Sequence, residues 1–149
     1  MGMLIELRDQ TCLADVRILV VDDDEDVRDA LSSLLTLFGA EVYGVEGAGV
    51  ARALLAAWTF DVLLSDIEMP DEDGYQLMRA VRRSPFTHDL AAAAITGRSS
   101  PEDVRRAYDA GFDRVIAKPP EIEALIEVVR TLAAKRPRRE LRRSAGARL

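Results

Sequence analysis

Five side chains able to do chemistry stand just after short apolar runs. Asp22 and Asp23 follow "VRILVV" (16–21), and Asp66 closes "FDVLLSD" (60–66). Thr96 closes "LAAAAIT" (90–96), and Lys118, followed by Pro119, closes "DRVIAK" (113–118). Carboxylates crowded together repel one another, and a hard cation among them makes the crowding tolerable. Mg2+ takes octahedral oxygen ligation from one or two carboxylates, several waters and a phosphate. Asp23 and Asp66 are the expected direct ligands, with Asp22 direct or through water, and Mn2+ is the substitute ion. The acidic run continues through Asp24, Glu25 and Asp26. These fit the first turn of a helix, where the macrodipole favours acids. An EF-hand loop starting at Asp22 fails, because Val27 and Ser33 stand where glycine and glutamate are needed.

The elements that must position these groups alternate. The runs 16–21, 40–46, 60–66, 90–96 and 113–118 read as strands. Between them, helical spacing of apolar residues marks 25–39, 47–58, 73–83 and 103–111, with a final amphipathic helix over 121–135. Gly39 and Gly111 suit C-terminal caps, Pro101 opens the fourth helix, the third is expected to have an acidic first turn, and Pro120 to set the first position of the last. Alanine favours helix, but 90–96 is too short for one, and its place in the alternation makes it a strand. Trp58 and Phe60 are expected to cover the sheet as core. Pro70 and Gly74 read as turn chemistry after Asp66. Five such βα units imply a parallel sheet with helices on both faces. Ligands of such sheets sit beyond the carboxyl ends of the strands, where all five polar residues fall.

The bulk numbers agree. The chain of 149 residues suits one domain. No apolar run reaches the roughly 18–20 residues of a membrane span, and "MGMLIELRDQ" does not read as a signal peptide. Cys12 is the single cysteine, so no internal disulfide forms and a cytoplasmic setting is expected. Residues 135–149 hold seven basic side chains and one acid, whereas 1–134 hold 13 basic and 25 acidic. The acidic body argues against nucleic-acid binding by the folded part. The basic tail reads as solvated chain, and residues 1–15 as an N-terminal extension or linker.

In this order, "VVDD", "DVLLSDIEMPDEDGYQLMRAVR", "ITG" and "AKP" resemble the receiver domain of bacterial two-component response regulators, over residues 16–134. The resemblance implies a flavodoxin-like, doubly wound five-stranded parallel sheet of order 2-1-3-4-5 with five helices. It implies Asp66 as phosphoacceptor, Asp22 and Asp23 as the acidic pair of a Mg2+ site, and the backbone carbonyl of Glu68 as a further ligand. Thr96 would be the switch hydroxyl and Lys118 the contact to phosphoryl oxygens, with a cis bond before Pro119. The phosphoryl group would come from a phosphohistidine of a histidine kinase or phosphotransfer protein. The output would be an unknown downstream protein, met as a monomer or a phosphorylation-dependent dimer.

The chain departs from the family pattern at Val115, where an aromatic switch residue is common, so the Thr96 half of the switch would act alone. By the same resemblance Glu68 and Arg98 face the site and tune the phosphoryl lifetime; an exposed ion pair of little consequence is the plain reading. His88 reads as loop surface. Two other functions compete. One is a phosphorylation-independent pseudo-receiver that binds proteins. The other is an aspartate-nucleophile phosphatase, against which Glu68 stands where a second aspartate is usual. "GAGVAR" (47–52) lacks the third glycine of a dinucleotide fingerprint, and no Walker A run occurs. With no output domain after residue 134, a stand-alone regulator or a piece of a larger protein is expected.

Overall fold

The computed structural model describes residues 11–135. Five strands alternate with five helices: β1 (Arg17–Val21), α1 (Glu25–Leu37), β2 (Glu41–Val45), α2 (Ala48–Ala57) and β3 (Val62–Ser65). There follow α3 (Gly74–Arg83), β4 (Ala91–Thr96), α4 (Pro101–Ala110), β5 (Arg114–Ala117) and α5 (Ile122–Ala134). All strand pairs are parallel, in the order β2-β1-β3-β4-β5. Among the described residues no helix is long and apolar enough to cross a membrane.

Alternation along the strands builds two cores. Ile18, Val20, Val62, Leu64, Ala93 and Ile95 face one side, packed with Leu35 of α1 and Leu125 and Val129 of α5. Leu19, Val21, Leu63, Ala92 and Ala94 face the other, against Leu55 of α2, Leu77 and Met78 of α3, and Ala107 of α4. A strand buried on both faces needs apolar residues throughout, which is why β1, β3 and β4 read as continuous runs. The alanine run is indeed a strand, with every residue from Ala91 to Thr96 buried; context overrides alanine's helical propensity.

Helix starts place the acids more finely than their count suggests. Asp24 is the N-cap of α1 rather than part of its first turn: its carboxylate accepts from the Asp26 and Val27 amides at 2.9 and 3.2 Å. Only Glu25 and Asp26 occupy the turn. The acidic first turn expected for α3 is absent, because Asp73 caps that helix in a reciprocal box with Gln76. Ser100 caps α4 with Pro101 next, as its sequence suggests. Pro120 does not open α5: Glu121 is the cap and Ile122 the first residue, so the proline lies outside the helix.

Two further expectations fail for packing reasons. The segment 1–15 is not wholly an extension. Leu13 is fully buried in the α1/α5 core, and its amide donates to the Phe38 carbonyl at 3.0 Å, plugging the end of α1. Trp58 is not core either. It is 54% exposed at the end of α2, with the Arg17 guanidinium 5.6 Å from its ring centroid, while Phe60 is buried as expected. Residues 1–10 and the tail beyond Lys135 lie outside the described residues, and so does the reading of that tail as solvated chain.

Candidate functional site

Strand order reverses between β1 and β3, and this leaves a crevice at their carboxyl ends. Asp22 and Asp66 are the next residues along each strand. The ladder continues into them: the Asp22 amide donates to Val45 at 3.1 Å and the Asp66 amide to Val21 at 2.8 Å. Both acids are buried, whereas Asp23 is exposed at the mouth. One carboxylate oxygen from each of Asp22, Asp23 and Asp66 can be chosen so that all three lie within 4.8 Å of one another. Lys118 reaches in from the end of β5, with Nζ 2.9 Å from Asp22 Oδ2 and 3.4 Å from Asp66 Oδ1. The Lys118–Pro119 bond is cis, as expected.

The electrostatics follow from burial. Asp66 titrates above the ordinary aspartate value because burial penalises its charge and Asp22 repels it. Lys118 and the Ile67 amide, 2.8 Å from Asp66 Oδ1, pull the other way without cancelling the rise. For Lys118, burial alone would depress the ammonium. Its hydrogen bond to Asp22 and the charges of Asp66 and Asp22 outweigh that, so it ends above the ordinary lysine value. Three carboxylates against one ammonium leave the crevice short of positive charge. That donor set, all oxygen and anionic, fits a hard divalent cation.

The remaining expected residues frame the crevice. Thr96 is buried at the end of β4, and its Oγ1 accepts from the Arg98 amide at 3.0 Å. Glu68 and Arg98 form an ion pair across the opening, both more than half exposed. They line a groove of about 470 Å³ with Asp23, Tyr75, Asp103 and Arg106. Val115 is half-buried against the α2–α3–α4 core. Of the aromatics near it in sequence, Tyr108 is 46% exposed on α4 and Phe112 is buried. His88 is exposed in the α3–β4 loop, at the opposite edge of the sheet from Asp66.

Several contributors leave no chemical mark in the sequence. Gly74 is one: a Cβ there would lie 2.3 Å from the Asp66 carbonyl oxygen and 2.8 Å from the Ile67 Cα. The turn from β3 to α3 therefore folds back onto Asp66, with the Gly74 amide donating to Ile67 at 2.8 Å. Ser65 Oγ donates to the Asp66 carbonyl at 2.8 Å. Arg106 lies over the Tyr75 ring at 4.5 Å, joining α4 to α3 beside the groove. Gly74 was legible as a turn residue that helps hold Asp66 in place; how closely its backbone approaches the Asp66 carbonyl was not.

Residues 18–130 match the family model described as the response regulator receiver domain. The chain is 39% identical to an uncharacterised 14.6 kDa protein of Leptolyngbya boryana, over 78% of this chain and 89% of that one. It is 34% identical to the response regulator protein FleR of Pseudomonas aeruginosa over 76% of this chain, but it spans only 24% of FleR. The crystal structure of the chemotaxis response regulator CheY4 of Vibrio cholerae superposes with a TM-score of 0.75 at 27% identity, covering 78% of this chain and 98% of that one. With three aspartates, a threonine and a lysine gathered at the carboxyl edge of a 2-1-3-4-5 sheet, and a family match across most of its length, the chain belongs to the response regulator receiver domains of two-component signal transduction.

Proposed function

We propose that this chain is a phosphoacceptor module, taking a phosphoryl group on Asp66 from a phosphohistidine of a histidine kinase or phosphotransfer protein. The observation that carries this reading is the buried Asp66 carboxylate, clustered with Asp22 and Asp23 and 3.4 Å from Lys118. In the transfer, an Asp66 oxygen forms a bond to phosphorus as the nitrogen–phosphorus bond breaks, and the imidazole leaves with the electron pair. A carboxylate is a weak nucleophile, so the donor must arrive activated, and the protein contributes position and charge. Lys118 stands where it would offset charge on the incoming oxygens. Asp22, Asp23 and Asp66, with the Glu68 carbonyl, would hold Mg2+ or Mn2+. Such an ion neutralises phosphoryl charge when bound.

Thr96 serves as the switch hydroxyl. Its oxygen already accepts from the Arg98 amide, so its proton is available to a phosphoryl oxygen. With Val115 in place of a ring, the change acts through the β4–α4 loop. That loop presents an altered α4–β5–α5 face, with Tyr108 and Ile122 exposed, to a downstream protein or a second copy. Glu68 and Arg98 tune how fast water reaches the acyl phosphate. The test is intact mass after incubation with Mg2+ and acetyl phosphate or phosphoramidate, beside Asp66→Asn. One added phosphoryl group, lost with EDTA and absent in Asp66→Asn, is expected. No gain from either donor, in a folded protein that binds Mg2+, would leave a binding-only module.

A further inference from the structure

Arg28, on the first turns of α1, points back at the site. Its Nη1 donates to the Asp22 carbonyl at 2.9 Å. That carbonyl belongs to the peptide joining the two acids, so fixing it fixes where Asp23 departs from the backbone. Asp22 is already held elsewhere. Its Oδ1 accepts from the Asp24 amide at 2.9 Å, its Oδ2 from Lys118, and its amide donates to Val45. Asp23 has no such support: its carboxylate takes no hydrogen bond or ion pair among the described residues. Its placement rests on the backbone that Arg28 pins.

The path of the arginine stem depends on Gly44. This residue sits on the edge strand β2 with ordinary strand backbone, so no left-handed conformation calls for glycine. Glycine weakens a strand and marks close approach of another group. Here the close group is Arg28: a Cβ at Gly44 would lie 3.0 Å from its Cγ and 3.3 Å from its Cδ, with Ser32 Oγ at 3.2 Å.

We infer that Arg28 is a positioning residue for the cation ligands Asp22 and Asp23, and that the bare backbone at Gly44 is the gap through which it reaches them. This rests on the phosphoacceptor reading of the same site. The sign of the effect separates the role from simple electrostatics. A guanidinium beside a cation site repels the cation, so removing its charge should tighten Mg2+ binding. Removing a positioning group should weaken it, by about tenfold for partners that orient metal ligands.

The experiment is Mg2+ titration by calorimetry, with no phosphodonor present, on the parent, Arg28→Gln, Arg28→Lys, Gly44→Val and the double variant Arg28→Gln/Gly44→Val. Gly44→Val keeps the arginine and favours the strand, so it tests the contact even if Arg28→Gln folds poorly. The expected result is about tenfold weaker Mg2+ binding in Arg28→Gln and in Gly44→Val, partial recovery in Arg28→Lys, and no further loss in the double variant. Unchanged or tighter binding in folded Arg28→Gln and Gly44→Val overturns the inference. A parent that binds no Mg2+ removes the cation site itself, and this inference with it. Mg2+ binding by a parent that takes no phosphoryl group defeats only the phosphoacceptor reading.

Discussion

Lys118 Nζ lies 2.9 Å from Asp22 and 3.4 Å from Asp66, so one ammonium serves two buried carboxylates at once. Its removal by Lys118→Met leaves two acids facing each other without a cation. Breaking a partly buried pair of this kind should cost about 1–3 kcal/mol at pH 7 in the absence of Mg2+. Urea unfolding checks this, and added Mg2+ should recover much of the loss. Because the folded-state value of Lys118 is raised, its contribution is whole below the ordinary lysine value and fades as pH rises through the folded one.

Asp66 differs in that its charged form is the disfavoured one, its folded-state value being raised by burial and by Asp22. Above the ordinary aspartate value the folded protein holds that proton more tightly than the unfolded chain does. Stability therefore falls as pH rises from there through the folded value. Asp66→Asn removes the charge, so metal-free Asp66→Asn should melt a few degrees above the parent at pH 7. The gap should close as pH is lowered below the ordinary aspartate value, and Mg2+ should stabilise the parent more than the variant. A parent that melts higher at pH 7 without metal would contradict this account.

Gly74→Val tests the fold-back of the β3–α3 turn. A side chain there meets backbone rather than a flexible side-chain end, so the turn must move. A loss of about 2–4 kcal/mol is expected in urea unfolding. Phosphoryl uptake from a small donor should also fall in molecules that remain folded. A neutral variant would mean the turn has slack that the contact distances deny.

The Glu68–Arg98 pair should matter for kinetics and hardly at all for folding. Both side chains are more than half exposed, so Arg98→Ala should change stability by less than about 0.5 kcal/mol. If the pair screens the acyl phosphate from water, the phosphorylated mass should decay several-fold faster in Arg98→Ala, and similarly in Glu68→Ala. Equal decay in parent and variants would reduce the pair to surface decoration.

How much of this was legible in the sequence depends on the kind of signal. Buried strands announce themselves as apolar runs, and the groups that follow them land at one sheet edge. That is how Asp22, Asp23, Asp66, Thr96 and Lys118 could be gathered without coordinates. The alanine strand was recoverable only from its neighbours, because its own composition argues for helix. The burial of Leu13 and the exposure of Trp58 are not legible, because a single apolar side chain carries no period to show which way it faces. Arg28 was invisible for a different reason. A side chain that grips a backbone carbonyl pairs with an atom every residue has, and the glycine that makes room for it looks like any weak spot in an edge strand.

The alternation of β1 and β3 between two cores has a mechanical consequence. Leu19 and Leu63 press on one helical layer while Val20 and Leu64 press on the other, so neither strand can slide without repacking both. Asp22 and Asp66 hang from the ends of these clamped strands and behave as fixed points. Residues 97–100, beyond β4, are exposed and pressed by neither layer. Two firmly seated acids thus stand beside an exposed loop held by a few polar contacts rather than by packing. If Asp66 takes a phosphoryl group as proposed, the added charge would not need to bend the sheet to be felt outside, since the exposed loop has the least packing to lose.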